Sequence, residues 1–274
     1  MSIFDLSRIQ AAAQLQHLEF HPVLNSTNSL AMQLITDLTG CRPALILTEQ
    51  QTAGRGRGAH QWFSDAGALT FSLVLDVDAI PAAERSLISI ATGIAVRKTL
   101  EEALDAIQQP EQGIGRRRNV MVKWPNDVMI DDRKVCGVLT ELASDANQVS
   151  VVIGVGINVN NSLVSLPAEI QSKATSIFDI CGQTVDLSEL LIRLLLAIQE
   201  SCNRLLNDQT GLIQELNQHH LLTDKLVSVD LASIDLGSEI FTGPCVGVDD
   251  AGCLLLKSPT GVRRIVAGSI VSWQ

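Results

Sequence analysis

The chain has 274 residues, of which 46% are hydrophobic and 18% are charged, and its formal net charge is −10. This composition predicts a globular protein with one large core, and the acidic balance argues against bulk binding of nucleic acid. No apolar run reaches the roughly 18 to 20 residues that a membrane span needs and no signal peptide opens the chain, so we expect a cytoplasmic protein without membrane partners.

The cysteines follow no metal-binding or disulfide pattern. None of them belongs to a CxxC pair, and most lie in or beside apolar segments: Cys41, Cys136, Cys181, Cys202, Cys245 and Cys253. This pattern favours reduced thiols over a disulfide framework or a zinc site. His17 and His21 have no cysteine at ligand spacing, so we assign no fixed metal ligand to the chain.

The first 40 residues predict two helices around an extended segment. We expect a helix over 4–16, an extended segment over 18–24, and a second helix that follows polar residues 25–28 and ends at Gly40. The second helix carries an apolar stripe of Leu30, Leu34, Ile35 and Leu38. Ser26 or Thr27 is either a simple helix N-cap or a cap that also presents its neighbours to a ligand.

A loop rich in glycine and arginine joins strands expected over 44–48 and 69–75. Residues 54–58 read Gly-Arg-Gly-Arg-Gly, which offers backbone N–H groups and two guanidinium groups to a polyanion such as a nucleotide phosphate. Similar alternation occurs in disordered RNA-binding segments, but the flanking strands indicate a loop inside a folded domain. With no apolar side chain to dock it, we expect the loop to be mobile when empty and ordered when occupied.

A helix over 85–107 is followed by a β-hairpin that gathers charged residues. Its strands are expected over 120–124, 128–130 and 134–141. Lys123 and Asp127 then lie at a strand end and Lys134 on the return strand, so two ammonium groups and a carboxylate could converge. The alternative is an ordinary pair of edge-strand lysines, but Lys123 sits in an apolar strand where an unpaired charge is costly.

The second half of the chain predicts one more strand, two helices and a small β-domain. The strand over 149–159 contains Gly154, Gly156 and Asn158, and no Walker-type or Rossmann-type glycine motif is present. Helices over 187–206 and 211–220 precede short strands over 226–231, 239–248, 252–256 and 262–266, which are typical of a small barrel. We place a boundary near Thr223, with domains 1–223 and 224–274.

The basic run at 116–118 lies in a polar connector beside Gly113 and Gly115. A solvated loop and a local anionic partner are its two interpretations.

Six motifs in this order resemble those of biotin protein ligases. They are Ser26-Thr27-Asn28, the run from Gln51 to Gly58, Lys123-Trp124-Pro125-Asn126-Asp127, Arg133-Lys134-Val135-Cys136-Gly137, Gly154-Val155-Gly156-Ile157-Asn158, and the terminal SH3-like barrel. The resemblance implies an α+β fold, with a mixed sheet flanked by helices as in the class II synthetase-like biotin/lipoate ligases, followed by an SH3-like β-barrel.

The same resemblance implies the reaction and its participants. Biotin and ATP would form biotinyl-5'-AMP and pyrophosphate, with Mg²⁺ arriving on ATP, and biotin would then pass to a lysine of a biotin carboxyl carrier protein. A homodimer is one assembly that the resemblance allows.

Site residues are carried over position by position. The resemblance implies that biotin is held by Ser26, Thr27, Asn28, Gln51, Gly54, Arg55, Gly56, Lys134, Gly137 and Gly154. It implies that ATP and the adenylate are held by Arg55, Arg57, Trp62, Lys123, Asn126 and Asn158. The catalytic residues would be Arg57, Lys123, Asp127 and Lys134, with Asp127 the candidate that orients the acceptor amine and takes its proton.

Two departures and two alternatives accompany the resemblance. Ala59 and His60 stand where many bacterial members have a further Gly-Arg pair, and the 24 residues before Asn25 leave no room for the helix-turn-helix domain of bifunctional members. Lipoate ligases share the architecture, but their Arg-Arg-x-x-Gly-Gly-Gly signature is absent. A biotin-responsive DNA-binding regulator would need a recognition helix and a basic face.

Overall fold

The computed structural model describes residues 3–58, 60–107, 118–144, 148–164, 166–231 and 239–274. Within them a large sheet contains β1 (His17–Leu24), β2 (Ala44–Gln51), β3 (Leu69–Asp76), β4 (Val120–Lys123), β5 (Asp127–Ile130), β6 (Arg133–Ser144) and β7 (Val149–Ile157). The helices are α1 (Leu6–Ala12), α2 (Thr27–Gln33), α3 (Ile88–Ile107), α4 (Ala168–Gln171), α5 (Ile177–Cys181), α6 (Leu187–Asn207) and α7 (Gln209–Gln218). The C-terminal strands are β8 (Leu226–Asp230), β9 (Ile240–Val248), β10 (Leu254–Ser258), β11 (Gly261–Ile265) and β12 (Ser269–Trp273).

The large sheet is mixed, with the strand order β1-β2-β3-β7-β6-β5-β4. Strand β1 runs parallel to β2, and the other neighbouring strands are antiparallel. Helices α3 and α6 cover one face, where Leu69, Phe71 and Leu73 of β3 enter the main core. Helix α2 covers part of the other face through a smaller apolar cluster that includes Ile46 and Val74. The remainder of that second face is open to a ligand.

The C-terminal strands form an antiparallel sheet in the order β11-β10-β9-β8-β12. This sheet is fastened to the first domain by specific contacts as well as by apolar packing. The indole Nε1 of Trp124 donates to the Gly252 carbonyl at 2.9 Å, and the Asn217 side chain exchanges two hydrogen bonds with the Val248 backbone. Gly252 has a φ of +80°, which favours glycine, and a Cβ there would lie 2.6 Å from Leu87 Cδ2. The predicted fold class is confirmed.

Several predicted boundaries differ from the observed ones. Helix α1 is shorter than 4–16, and the residue after its C-cap, Gln14, has a φ of 53° that no helix continues. Helix α2 ends at Gln33 and not at Gly40, and the Ile35 carbonyl in the following turns accepts a hydrogen bond from the Arg42 guanidinium. These differences arise where a tertiary contact or a left-handed residue overrides the apolar periodicity.

Strand β12 and helices α4 and α5 were not predicted. Strand β12 is only five residues long and is defined by pairing with β8, so the partner strand and not local composition makes it a strand. The second sheet begins at Leu226, whereas the division of the chain at Thr223 stays a prediction. No helix among the described residues is long and apolar enough to cross a membrane.

Candidate active site

A cavity of about 550 Å³ opens on the face of the large sheet opposite α3 and α6. Small-molecule sites typically have such volumes. The predicted residues that line it are Ser26, Thr27, Asn28, Gln51, Arg55, Gly56, Arg57, Trp62, Lys123, Asn126, Asp127, Lys134, Gly137 and Gly154. The structure therefore brings into one cavity residues that are more than a hundred positions apart. Gly54 and Asn158 do not line it.

The register of the sheet explains why these residues meet. Thr70 pairs with Gly156, Gly156 with Gly137, Gly137 with Asp127, and Asp127 with Lys123. Residues directly opposite each other in antiparallel strands point to the same face. Two glycines in the middle of this row leave a shallow floor, and the charged side chains of β4 and β5 stand at its end.

The first end of the cavity, which we call the neutral end, is lined by Thr27, Asn28 and Gln51 and is supported from beneath by the buried Ser72. The Thr27 N–H donates to Gln51 Oε1 at 2.8 Å, and the buried Ser72 hydroxyl lies 2.8 Å from Thr27 Oγ1 and 2.6 Å from Asn28 Oδ1. A Cβ on Gly154 would lie 2.0 Å from Asn28 Oδ1, so glycine is required for the Asn28 amide to rest on β7. The neutral end is a preorganised set of uncharged hydrogen-bonding groups.

Asn28 is also tied to the next strand. Its Nδ2 donates to Glu141 Oε2 at 2.8 Å and to the Leu139 carbonyl at 3.2 Å. Both amide hydrogens are therefore used by the protein, and Oδ1 keeps the capacity to accept one more bond beside that from Ser72. Ser26 is the N-cap of α2, where its hydroxyl accepts from the Ser29 N–H, so its capping role is confirmed while it also lines the cavity.

The opposite end, which we call the cation end, consists of Arg57, Lys123, Asp127 and Lys134. Lys134 Nζ lies 2.6 Å from Asp127 Oδ1, and Lys123 Nζ lies 3.9 Å from Asp127 Oδ2. The two ammonium groups and the carboxylate therefore converge, as the hairpin predicted. Burial lowers the pKa of Lys123; the Asp127 charge opposes this shift and the Lys134 charge adds to it.

Arg57 is the more confined of the two loop arginines. Its Nη1 donates to the Gly268 carbonyl of the C-terminal domain at 2.8 Å. Burial lowers the pKa of the Arg57 guanidinium, and the Asp127 charge opposes the shift. Because an arginine side chain is effectively always protonated in proteins, the group stays charged at neutral pH. Three cations at this end thus share one carboxylate.

Comparison with known proteins identifies the family. Residues 20–158 match the model described as the biotin/lipoate A/B protein ligase family, and residues 233–273 match the biotin protein ligase C-terminal domain. The first match alone spans about half of the chain, and it contains both ends of the cavity. The chain belongs to the biotin/lipoate A/B protein ligase family.

Several known proteins are similar to this chain over nearly its whole length. It is 31% identical over 257 residues to the bifunctional ligase/repressor BirA of Bacillus subtilis, which covers 93% of this chain and 74% of the relative. It is 30% identical over 251 residues to the biotin–acetyl-CoA-carboxylase ligase of Paracoccus denitrificans, covering 90% of this chain and 96% of the relative. The structure of the biotin protein ligase from Aquifex aeolicus with biotin and ATP aligns with a TM-score of 0.73 at 27% identity, covering 94% and 98% of the two chains.

In this family member the Gly/Arg loop is docked more firmly than its composition predicted. Its backbone forms a small hairpin, with Gly56 N–H bonded to the His60 carbonyl and Trp62 N–H to the Gly54 carbonyl. Gly54 is buried inside that hairpin, where a Cβ would lie 2.3 Å from the Trp62 carbonyl oxygen. Residues 54–58 carry no apolar side chain, as expected from the sequence, and backbone hydrogen bonds hold the loop instead. Its mobility stays a prediction, and Ala59 lies outside the described residues.

Two further side chains anchor this loop. Arg55 pairs with Glu141 of β6. The Trp62 indole lies on the glycine floor, since a Cβ on Gly156 would be 2.3 Å from its Cε2, and Lys134 Nζ is 5.9 Å from a Trp62 ring centre. Trp62 Nε1 is buried against this floor, 2.5 Å from where a Cβ on Gly156 would lie, and has no hydrogen-bond partner among the described residues. Contact between Trp62 and adenine stays a prediction.

Two predicted ligand-binding residues, Asn158 and Asn126, also have structural partners within the protein, and their ligand roles stay predictions. Asn158 follows the end of β7, is 6% exposed, and accepts through Oδ1 from Asn161 Nδ2. It lies outside the cavity because the strand ends at Ile157 and the period-two alternation stops there. Asn126 lines the cavity, but its side chain also donates to the Val138 carbonyl and holds the turn after β4 against β6.

Sequence reasoning missed Ser72 and Glu141, which connect the neutral end to the sheet. Ser72 alternates with apolar core positions, since Phe71 and Leu73 face α3 and α6 while Ser72 lies on the opposite face of the sheet, buried beneath Thr27 and Asn28. A small polar residue repeated at every second position of an apolar strand was the available signal. Of the basic run at 116–118, Arg118 pairs with Asp131 at 2.7 Å, and Arg116 and Arg117 lie outside the described residues.

Proposed function

We propose that this chain is an ATP-dependent biotin protein ligase that activates biotin as biotinyl-5'-AMP and transfers it to a lysine of a biotin carboxyl carrier protein, as in acetyl-CoA carboxylase. The observation that carries the proposal is a single cavity with a preorganised neutral end and an under-neutralised cation end. The first suits an uncharged polar ring system, and the second suits a carboxylate beside a nucleotide phosphate.

At the neutral end the ureido group of biotin would meet hydrogen-bonding groups that are already in place. Asn28 Oδ1 is held by Ser72, and Gln51 Oε1 is held by Thr27, so each side chain has a fixed direction. Prior fixation lowers the entropy that a ligand loses on binding. Gly154 and Gly156 let Asn28 and Trp62 lie close to the sheet, and the fused rings and the valeryl chain would pack against those two side chains.

In the first step a biotin carboxylate oxygen would attack the α-phosphorus of ATP. A new P–O bond forms, the bond to the bridging oxygen of the β-phosphate breaks, and pyrophosphate leaves with that electron pair. Lys134 and Lys123 would offset the charge that the two approaching anions bring together, and Arg57 would hold the phosphates. Removing one such preorganised donor typically costs roughly 3 to 4 kcal/mol of transition-state stabilisation.

Mg²⁺ fits this site as a companion of the triphosphate. Among the described residues no group of three or more His, Cys, Asp or Glu side chains is arranged to hold a metal ion. Oxygen atoms of the phosphates would supply most of its ligands, as is usual for Mg²⁺ in nucleotide sites. When bound, the ion would neutralise phosphate charge beside Arg57.

In the second step the amine of the carrier lysine would attack the carbonyl carbon of the mixed anhydride. The C–N bond forms, the C–O bond to the phosphate breaks, and AMP leaves. The amine must lose its proton, which at pH 7 costs roughly 4.6 kcal/mol from a reference pKa near 10.4. Asp127 is the proposed acceptor, and it also aligns both lysines, so the two steps share this carboxylate.

The test uses purified protein, labelled biotin, ATP with Mg²⁺ and a purified carrier domain. We expect pyrophosphate release from biotin and ATP in the absence of the carrier, and covalent label on the carrier only when all components are present. Lipoic acid in place of biotin is the discriminating arm, because label from lipoate and none from biotin would assign the chain to the lipoate branch of the family. A carrier whose acceptor lysine is replaced by arginine is the matched control.

The remaining expectations of this proposal require separate measurements. Assembly as a homodimer, location in the cytoplasm and the absence of a regulatory DNA-binding activity stay predictions. Sedimentation of the protein with and without biotin and ATP measures the first. A gel shift against carboxylase-operon DNA measures the last, and a specific shift would support the regulator alternative.

A further inference from the structure

The last strand of the C-terminal domain reaches into the cation end of the cavity. Lys123 Nζ lies 4.4 Å from the centre of the Trp273 ring, inside the range of a cation–π contact. Immediately before this strand, the Gly268 carbonyl oxygen accepts a hydrogen bond from Arg57 Nη1 at 2.8 Å. Gly268, Ser269 and Ile270 line the cavity itself. Two of the three cations at this end are therefore contacted by the second domain.

The surroundings of Lys123 show why the ring matters to it. Its side chain is 15% exposed, so the ammonium group has lost much of its hydration, while the nearest Asp127 oxygen is 3.9 Å away and beyond hydrogen-bond distance. Lys134 repels it, and Asp127 is shared with Lys134 at 2.6 Å. Among aromatic side chains, tryptophan offers the most favourable face to such a cation.

Both contacts share a chemical property that an ion pair lacks. A carbonyl oxygen and an aromatic face present negative potential to a cation without carrying a net charge. They can hold Arg57 and Lys123 in place without neutralising them, whereas a second carboxylate at this end would repel the phosphates. The formal negative charge at this end is that of Asp127, whose oxygens lie 2.6 Å from Lys134 Nζ and 3.9 Å from Lys123 Nζ.

We propose that Trp273 is a positioning residue for adenylate formation, which keeps Lys123 charged and directed into the cavity while the Gly268 carbonyl fixes Arg57. The inference rests on the proposed function and adds that the second domain completes the site of the first step. Pairing of β12 with β8 sets this geometry, with Trp273 opposite Val227. Gly268 also packs closely against β8, since a Cβ at this position would lie 2.5 Å from Val229 Cγ1.

The test compares Trp273→Leu with Trp273→Phe in the full chain. The leucine variant keeps an apolar side chain and removes the π face, and the phenylalanine variant restores one. We expect the rate of pyrophosphate release to fall roughly 2- to 30-fold in Trp273→Leu and to recover largely in Trp273→Phe. Val271→Ala, an exposed position of the same strand, is the control and should stay within about twofold of wild type.

A pH profile distinguishes a positioning role of Trp273 from a contribution of Trp273 to stability alone. The charged groups that act on Lys123 are Asp127 of β5 and Lys134 of β6, and the ring favours its protonated form. Loss of the ring lowers the pKa of Lys123 further, so the alkaline limb of pyrophosphate release should move down by roughly half a unit to one and a half units in Trp273→Leu. Trp273→Phe should reverse most of that movement, which a general loss of stability would not do.

A direct titration keeps the inference independent of activity. The Lys123 amine is followed by NMR in protein with nitrogen-labelled lysine, and its signal is assigned through Lys123→Arg. A downward pKa shift in Trp273→Leu, reversed in Trp273→Phe, supports the inference. An unchanged Lys123 pKa, or a leucine variant as active as wild type, overturns it. If wild type itself releases no pyrophosphate from biotin and ATP, the proposed function fails, and the positioning role of Trp273 in adenylate formation fails with it, whereas the Lys123 titration still reports on the contact between the two side chains.

Discussion

The two ends of the cavity lie on the same sheet face but differ in their charge and in how far their polar groups are already paired. At the neutral end Asn28 already satisfies both amide hydrogens, and Ser72 and Gln51 fix their neighbours through hydrogen bonds of 2.6 to 2.8 Å. At the cation end three positive groups face one carboxylate, and burial lowers the pKa of both Arg57 and Lys123. The first end is complete without a ligand, whereas the second carries excess positive charge that an anionic ligand would balance.

This difference predicts which substitutions should weaken ligand binding and which should slow the reaction. A preorganised neutral network gains little more in the transition state than in the ground state, so damage to it should appear as weaker binding. Cations aimed at charge that develops during reaction should appear in the rate. Each prediction below tests that division, beginning with the largest expected effect.

Asp127→Asn should cause the largest loss because this carboxylate serves both steps. We expect transfer from preformed biotinyl-adenylate to fall roughly 10²- to 10⁴-fold at pH 7, and the defect to shrink as pH rises and the acceptor amine becomes neutral without help. Adenylation should fall less. Since the Asp127 charge opposes the lowering of the Lys123 pKa, its removal should also move the alkaline limb of adenylation to lower pH.

Single-turnover transfer measured from about pH 6.5 to 9.5, beside pyrophosphate release, checks this prediction. Asp132→Asn, at the exposed turn of the same hairpin, is the control. A transfer defect that does not change with pH, or an equal loss in both steps, would remove the support for Asp127 as the proton acceptor and leave it the task of aligning Lys123 and Lys134.

Lys134→Ala should slow adenylate formation by about 10² to 10³ with little change in transfer from preformed adenylate. It removes the cation whose Nζ is 2.6 Å from Asp127 and which lies against Gly137 in the centre of the cavity. Pyrophosphate release under single-turnover conditions measures the effect, and Lys257→Ala on the exposed side of β10 is its control. Release at the wild-type rate would contradict the role of Lys134.

Asn28→Ala should weaken biotin binding roughly 5- to 150-fold and leave ATP binding nearly unchanged. The change leaves the buried Ser72 hydroxyl without one of its partners and takes from Glu141 its Asn28 donor. Calorimetry with biotin and with a non-hydrolysable ATP analogue separates the two ligands, and Asn203→Ala at an exposed helix position is the control. Equal losses for both ligands would break the division between the two ends.

Glu141→Gln should have the smallest effect, because the Arg55–Glu141 pair is partly exposed and such pairs are worth at most about 1 kcal/mol. We expect biotin affinity to fall about two- to fivefold at low salt, with the difference fading as salt rises, since Arg55 loses a fixed direction. Tighter binding in the variant would mean instead that Glu141 competes with the ligand carboxylate for Arg55.

Sequence reasoning succeeded for contacts between residues that are close in the chain and failed for contacts between residues that are far apart in it. Lys123, Asp127 and Lys134 lie within one hairpin, so local strand and turn propensities were enough to predict their convergence, and the structure confirms it. The Gly/Arg loop was located correctly between β2 and β3, but its docking through Arg55 to Glu141 depends on a strand 86 residues away. Composition alone carries no information on such a partner.

The sequence by itself determined the α+β class, the six family motifs and the hairpin, because periodicity, turn residues and closely spaced motifs are local properties of a chain. Only the tertiary structure decided that Ser72 and Glu141 support the neutral end, that Asn158 lies outside the cavity, and that Trp273 faces Lys123. Those contacts are set by the order β3-β7-β6-β5-β4 and by the docking of the second sheet, since strand register fixes which side chains share a face.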